Sequence, residues 1–171
     1  MAVRPIVQHA LNPEVLRKQS VPVRAGASEV RELIEDLKDT LLCHANGVGL
    51  AAPQIGVHQR AIVVRLGAGQ GQEPAPPIGI INPEIVEAGH DLPDFDGCLS
   101  IPGLYGETVR PHFMRLRGLD EHGNCFEWTF EDFDAVVAHH EVDHLNGVLF
   151  IDRVPSPDKL YTEAEARQVY R

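Results

Sequence analysis

The first strong pattern along the chain is helical. Val30, Leu33, Ile34, Leu37 and Leu41 recur at three- and four-residue intervals and form one apolar stripe. Glu29, Arg31, Glu32, Asp36 and Lys38 fill much of the remaining surface. The spacing predicts a helix over residues 28–44, with Ser28 as its N-cap and Cys43 and His44 as packing and capping residues at its end. Upstream, residues 13–19 fit a short helical turn and residues 21–23, around Pro22, an extended segment. Residues 1–27 show no visible chemistry.

Downstream the period shortens. Residues 58–66, centred on Ala61-Ile62-Val63-Val64, predict a strand, and residues 78–87 a second. Six of the eleven residues between them are Gly or Pro, which predicts an exposed loop over 67–77. Residues 113–119 and 125–130 both alternate apolar and polar positions around the turn Asp120-Glu121-His122-Gly123-Asn124, a hairpin pattern in which Cys125 and Trp128 read as packing residues. Residues 133–146 have helical character and are stopped by Gly147. A last short strand is expected over 150–154. Ser156-Pro157 then opens a C-terminal helix with Leu160, Tyr161 and Ala164 on its apolar face. The expected fold is α+β. Antiparallel strands pack around a central buried helix, with an N-terminal and a short C-terminal helix, in one domain over residues 1–171.

The helix over 133–146 carries more than packing. It contains His140-Glu141-Val142-Asp143-His144. Two histidines four residues apart leave a helix about 40° apart, so both imidazoles can grip one metal ion. Glu141, about 100° round from His140, can reach a metal-bound water without being a ligand. Such a water has a pKa near 7, and a carboxylate beside it can take its proton and pass it to a leaving group. The same three residues also occur on ordinary solvated helices. Here Ala135, Val136, Val137 and Ala138 precede the motif, and Leu145, Val148, Leu149 and Phe150 follow it. A helix this apolar is buried, and buried imidazoles and carboxylates need partners, of which a metal is one.

Composition narrows the classes. The formal net charge is -10, which argues against generic binding to nucleic acid or to an anionic membrane. No run of about 18 apolar residues predicts a membrane span, and residues 1–11 lack a secretory signal pattern. Cys43, Cys98 and Cys125 are few and odd in number, which fits a reducing cytoplasm better than a disulfide framework.

Two more stretches stand out. In Gly47-Val48-Gly49-Leu50-Ala51-Ala52-Pro53-Gln54, glycines permit close approach of another chain or a ligand, and Gln54 offers an amide donor and acceptor. A tight loop packed under a sheet would look the same. In Asp96-Gly97-Cys98-Leu99-Ser100, Cys98 is open to three readings. It can be a core thiol. It can be a nucleophile with a histidine base, which leaves the paired histidines and Glu141 unexplained. It can also be a third metal ligand beside His140 and His144, leaving a fourth position open for water as in catalytic sites.

Taken in order, these three motifs resemble those of the peptide deformylases. The likeness extends to Ile101-Pro102-Gly103 and to residues 145–153, and it covers nearly the whole chain. The resemblance implies a hydrolase that removes the N-formyl group from the initiator methionine of new polypeptides. It implies one Fe2+ per chain, with Zn2+, Ni2+ or Co2+ able to substitute, held by Cys98, His140 and His144. Glu141 would be the general base and acid. Gln54 and the backbone N–H of Leu99 would steady the oxyanion. Val48, Gly49 and their neighbours would line the cleft and pair with the extended substrate. For the methionine side chain, Phe133, Val136 and Val137 lie seven, four and three residues before His140, roughly on one side toward the helix N-terminus, where Val48 could cap them. The implied partners are formyl-methionyl nascent peptides and, through residues 156–171, the ribosome near its exit tunnel. Neither sequence-specific nucleic-acid binding nor a membrane is implied.

The chain departs from the family where a Glu usually opens the second motif. Asp96 stands there, with Arg110 as its candidate salt-bridge partner. His139 occupies a position more often held by a smaller or uncharged residue, and no role is assigned to it. A metallopeptidase built on the same helix is the competing enzyme class, but it would take its third ligand downstream. A relative that only binds metal or peptide is the competing non-catalytic class, and the intact Glu141 and Gln54 argue against it.

Overall fold

A computed structural model of the chain describes residues 2–24 and 28–170. A short helix α1, Pro13–Arg17, precedes α2, Ser28–Leu42. Strands β1 (Gly49–Ala51), β2 (Ala61–Val64), β3 (Ile78–Cys98), β4 (Ile101–Leu119) and β5 (Cys125–Glu131) form an antiparallel sheet in that order, and β6 (Leu160–Thr162) adds to β4. Helix α3, Asp132–Leu145, follows β5 directly, and α4, Glu163–Val169, follows β6. The architecture is α+β.

Alternate residues on the first three strands serve two different helices. Leu50, Ala61, Val63 and Ile81 pack with Val30, Leu33, Ile34, Leu37 and Leu41 of α2. Ala51, Ile62, Val64 and Ile80 pack with Ala135, Val137, Ala138, Val142 and Leu145 of α3. Neighbouring residues on a strand point to opposite faces, so α2 and α3 cover opposite sides of this part of the sheet. That explains why β2 has no polar position: all four residues are buried. Each such Ile or Val contributes roughly 1.5–3 kcal/mol over an exposed one.

Several expected elements are redrawn. Ser28 is the first residue of α2 rather than its cap, and its hydroxyl donates to the Glu29 carboxylate. The second strand does not stop at 87. It runs on to Cys98 and pairs with β4 from Asp91 opposite Pro111 to Gly97 opposite Tyr105. This arm was invisible because most of residues 84–94 face solvent, so no alternation marks them. Residues 150–154 are not a strand. Phe150–Asp152 form a 3-10 turn, closed where the Asp152 carboxylate accepts from the Leu149 N–H at 2.9 Å and pairs with Arg17. The C-terminal helix starts at Glu163, not at Pro157. Thr162 is its cap, accepting from the Glu165 N–H while the Glu165 carboxylate accepts from the Thr162 N–H. Leu160 and Tyr161 therefore lie on β6, and Ala166 rather than Ala164 is buried. Cys43 and Cys125 are exposed, not packed, while Trp128 packs against the α3 cluster. Gly147 sits just past α3 with φ of 71°, and a Cβ there would lie 2.3 Å from the Arg17 carbonyl oxygen.

Candidate active site

The turn between β3 and β4 brings Cys98, the last residue of β3, against α3. Its Sγ lies 3.4 Å from Nε2 of His144, and Nε2 of His144 lies 3.1 Å from Nε2 of His140. All three ligand atoms fall within 4.8 Å of one another. Two ring nitrogens this close cannot both aim lone pairs at each other without something positive between them, a proton or a metal ion. A thiolate and two imidazoles suit a divalent transition metal. The residues present therefore fit such an ion.

Asp96 orients the set. One carboxylate oxygen is 2.8 Å from Nδ1 of His140. The other accepts from Arg110 Nε at 2.6 Å and from the Thr108 hydroxyl at 3.1 Å. Burial would raise Asp96, but His140 and Arg110 outweigh it and hold the carboxyl well below its usual range. An ionised carboxylate can only accept, so Nδ1 of His140 carries a hydrogen and Nε2 is left to face Cys98 and His144.

The chain of charge continues inward. Arg110, 1% exposed, also donates from Nη1 to Asp143 at 2.8 Å and to His139 Nδ1 at 2.8 Å. Asp143 accepts in addition from Nε and Nη2 of Arg153. His139 thus has a partner that its sequence position did not announce. Burial, reinforced by Arg110 and opposed by Asp143, lowers it to about 4, so it stays neutral near pH 7 and can accept.

Glu141 lies between the two ligating histidines in sequence and 4% exposed in space. Its Oε2 has no hydrogen-bond partner among the described residues. Burial in the first place raises its carboxyl to about 7. Gly49 approaches it so closely that a Cβ there would lie 2.6 Å from Oε1. Gln54 is held at three points. Its side-chain oxygen accepts from the Ala51 N–H at 2.9 Å, and Nε2 donates to Ser100 Oγ at 3.1 Å and to Cys98 Sγ at 3.4 Å.

A cavity of about 760 Å³ opens over these groups. Of the sequence-derived candidates, Val48, Gly49, Gln54, Asp96, Cys98, Leu99, Phe133, Val136, Val137, His140 and Glu141 line it; His144 and Arg110 stand behind them. The wall also includes Gln8, His44, Asn46, Phe95, Tyr105 and Glu163, none of which the sequence reading selected. The N-terminal segment, read as without chemistry, ties two of the motifs together. The Val7 N–H donates to the Gln54 carbonyl at 2.7 Å and the His9 N–H to the Ser100 carbonyl at 2.9 Å. No local pattern marks such long-range ties. Among the described residues no helix is long and apolar enough to cross a membrane.

The family pattern described as polypeptide deformylase matches residues 3–160. A peptide deformylase from Caldicellulosiruptor bescii is 40% identical over 154 residues, covering 90% of this chain and 87% of its own. A crystal structure of a peptide deformylase from Legionella pneumophila superposes with a TM-score of 0.81 at 40% identity, covering 98% of this chain and 92% of that one. A Met-Ala-Ser-bound class I type b peptide deformylase from Acinetobacter baumannii gives 0.78 at 31% identity, covering 90% of this chain and all of that one. The chain belongs to the peptide deformylases, enzymes that remove the N-formyl group from newly synthesised polypeptides.

Proposed function

We propose that residues 1–171 act as one catalytic unit arranged around α3, in which Cys98, His140 and His144 hold a single Fe2+, replaceable by Zn2+, Ni2+ or Co2+. Such an ion supplies Lewis acidity, lowering the pKa of water and polarising a carbonyl. Everything else is done by the chain's own groups. The observation that carries the reading is the Glu141 carboxyl, buried beside the ligand set with its Oε2 unpartnered among the described residues.

The formylated peptide enters extended. Among the described residues β1 is the terminal strand of its sheet, and since the Val48 carbonyl accepts from the Arg65 N–H on the β2 side, it is Gly49 next to it whose backbone faces outward to pair with the substrate. The methionine side chain enters the apolar end of the cavity among Phe133, Val136 and Val137, with Val48 over it. Such placement holds the formyl carbon close to the ligand set, which lowers the entropic part of the barrier.

Glu141 takes the proton of the attacking water as the new C–O bond forms. Negative charge grows on the formyl oxygen, where the Leu99 N–H donates to it together with the Gln54 amide, whose Nε2 gives up its long 3.4 Å contact to Cys98 Sγ to do so. Each such donor is worth roughly 100- to 1,000-fold in rate. Glu141 then hands its proton to the departing nitrogen, the C–N bond breaks, and formate and a free amino terminus leave. Asp96, backed by Arg110, keeps His140 in the tautomer that presents Nε2.

Because the substrates are nascent chains, we place the enzyme in the cytoplasm at the ribosomal exit tunnel, with residues 156–171 as the docking segment. The test is formate release from formyl-Met-Ala-Ser by anaerobically purified protein, with metal content measured on the same sample. The expected result is about one ion per chain and turnover lost on chelation. Bound metal without formate release would overturn the assignment.

A further inference from the structure

The acidic and basic groups behind the ligand set share one cation. Arg110 reaches in from β4 with its side chain fully buried. Its Nε donates to Asp96 at 2.6 Å, and its Nη1 donates to His139 Nδ1 and to Asp143, each at 2.8 Å. Its Nη2 has no hydrogen-bond partner among the described residues. Thr108, two residues earlier and so on the same face of β4, donates to the Asp96 oxygen that Nε also uses.

The acceptors stand in telling places. Asp96 lies two residues before Cys98 on β3, while His139 and Asp143 each lie one residue before a ligating histidine on α3. His139 and Asp143 are four residues apart, so they leave the helix about 40° apart. The ligand set comes from two elements, a strand end and a helix. Arg110 ties the two together as a rigid planar fork, gripping β3 through Nε and α3 through Nη1.

The His139 contact has a definite polarity. A guanidinium carries only donors, so Nδ1 must accept, and the neutral ring then bears its hydrogen on Nε2. Nη1 has two hydrogens, of which His139 takes one and Asp143 the other. A carboxylate alone accepts from either terminal nitrogen of the fork. With both α3 acceptors on Nη1, the fork is held in one orientation and Nη2 is left out. Without His139, turning the fork to bring Nη2 onto Asp143 recovers a hydrogen bond, and that turn carries Nε away from Asp96.

Resting on the metal-site reading above, we propose that His139 is a positioning residue for the metal centre: as the second acceptor on Nη1 it fixes the orientation of Arg110, and through Asp96 that of His140. His139 is not among the residues lining the cavity, so its effect on the site passes through Arg110.

The test sets two variants against each other. Leu and Asn have the same branched shape, but only Asn puts an acceptor, Oδ1, where His139 has Nδ1. Zn2+ affinity is measured on metal-stripped protein by competition with a chelator of known affinity. His139→Leu should lower it roughly tenfold, the low end of the range for groups that support a ligand. His139→Asn should stay close to the unaltered protein. Leu is the better helix former, so a merely structural role at this position gives the reverse order. Co2+ loading supplies a second readout that only folded protein gives. Its visible absorption bands follow ligand geometry and should shift in His139→Leu but not in His139→Asn. Equal affinities and spectra for the two variants, or weaker binding by His139→Asn, overturn the proposal while Zn2+ binding by the unaltered protein leaves the metal site standing. No Zn2+ bound by the unaltered protein would overturn the metal-site reading and this proposal with it.

Discussion

Asp96 places a carboxylate oxygen 2.8 Å from Nδ1 of His140. The contact turns a shared β-strand and helix face into an orientation device, because it decides which imidazole nitrogen is free to bind. Asp96→Ala should leave Cys98, His140 and His144 in place but let the ring turn. Metal affinity should fall roughly 10- to 100-fold. Competition against a chelator of known affinity measures it, and unchanged affinity would remove Asp96 from the support of the site.

Gly49 and Glu141 make the second test. A methyl group at 49 would press within 2.6 Å of Glu141 Oε1, and the carboxyl would have to move. Displacing a catalytic group by about 1 Å costs about 100-fold in rate. Gly49→Ala should therefore lower kcat by about that factor while metal content stays near that of the unaltered protein. Full activity in this variant would show that the Glu141 position is not critical.

The methionine pocket can be probed at Val136, which is 2% exposed and lines the cavity. Val136→Trp should raise KM for formyl-Met-Ala-Ser at least tenfold, through lost burial of the methionine chain. Steady-state kinetics at matched metal content decides it. An unchanged KM would place the methionine elsewhere.

Acid should act through Asp143. Its carboxylate is buried between Arg110 and Arg153. Burial would raise its pKa, but the two guanidinium groups outweigh that and hold it below its ordinary value. A depressed carboxyl contributes stability that is fully present above the unfolded value, about 3.9, and is lost as pH falls through the lower folded value. Asp143→Asn should cost about 1.5–3 kcal/mol at pH 7, since it takes from buried Arg110 one of its two partner charges, Asp96 being the other. Urea titrations of both proteins from pH 7 down should show the gap closing below about pH 4. A gap constant with pH would mean that packing, not charge, sets the loss.

Much of the site could be read from residues alone because its signals are local. The His140–His144 spacing places two imidazoles on one helix face. The stripe from Val30 to Leu41 and the all-apolar run Ala61–Val64 announce α2 and β2, and these runs are periodic because each element buries one or both faces. Asp96 and Cys98 stand two apart on one strand, so one motif carries both a ligand candidate and its support.

The chain by itself determined which groups could do chemistry and which runs would pack. Only the tertiary structure decided who meets whom. It linked the expected Asp96–Arg110 pair onward to Asp143, gave His139 a donor, drew the N-terminal segment across Gln54 and Ser100, and folded Tyr170 onto Phe95. It also extended β3 through polar, solvent-facing residues and turned residues 150–152 into a 3-10 turn. The physical reason is the same throughout. Periodicity records burial against a single neighbouring layer, whereas these contacts join residues far apart in sequence and leave no repeat along the chain.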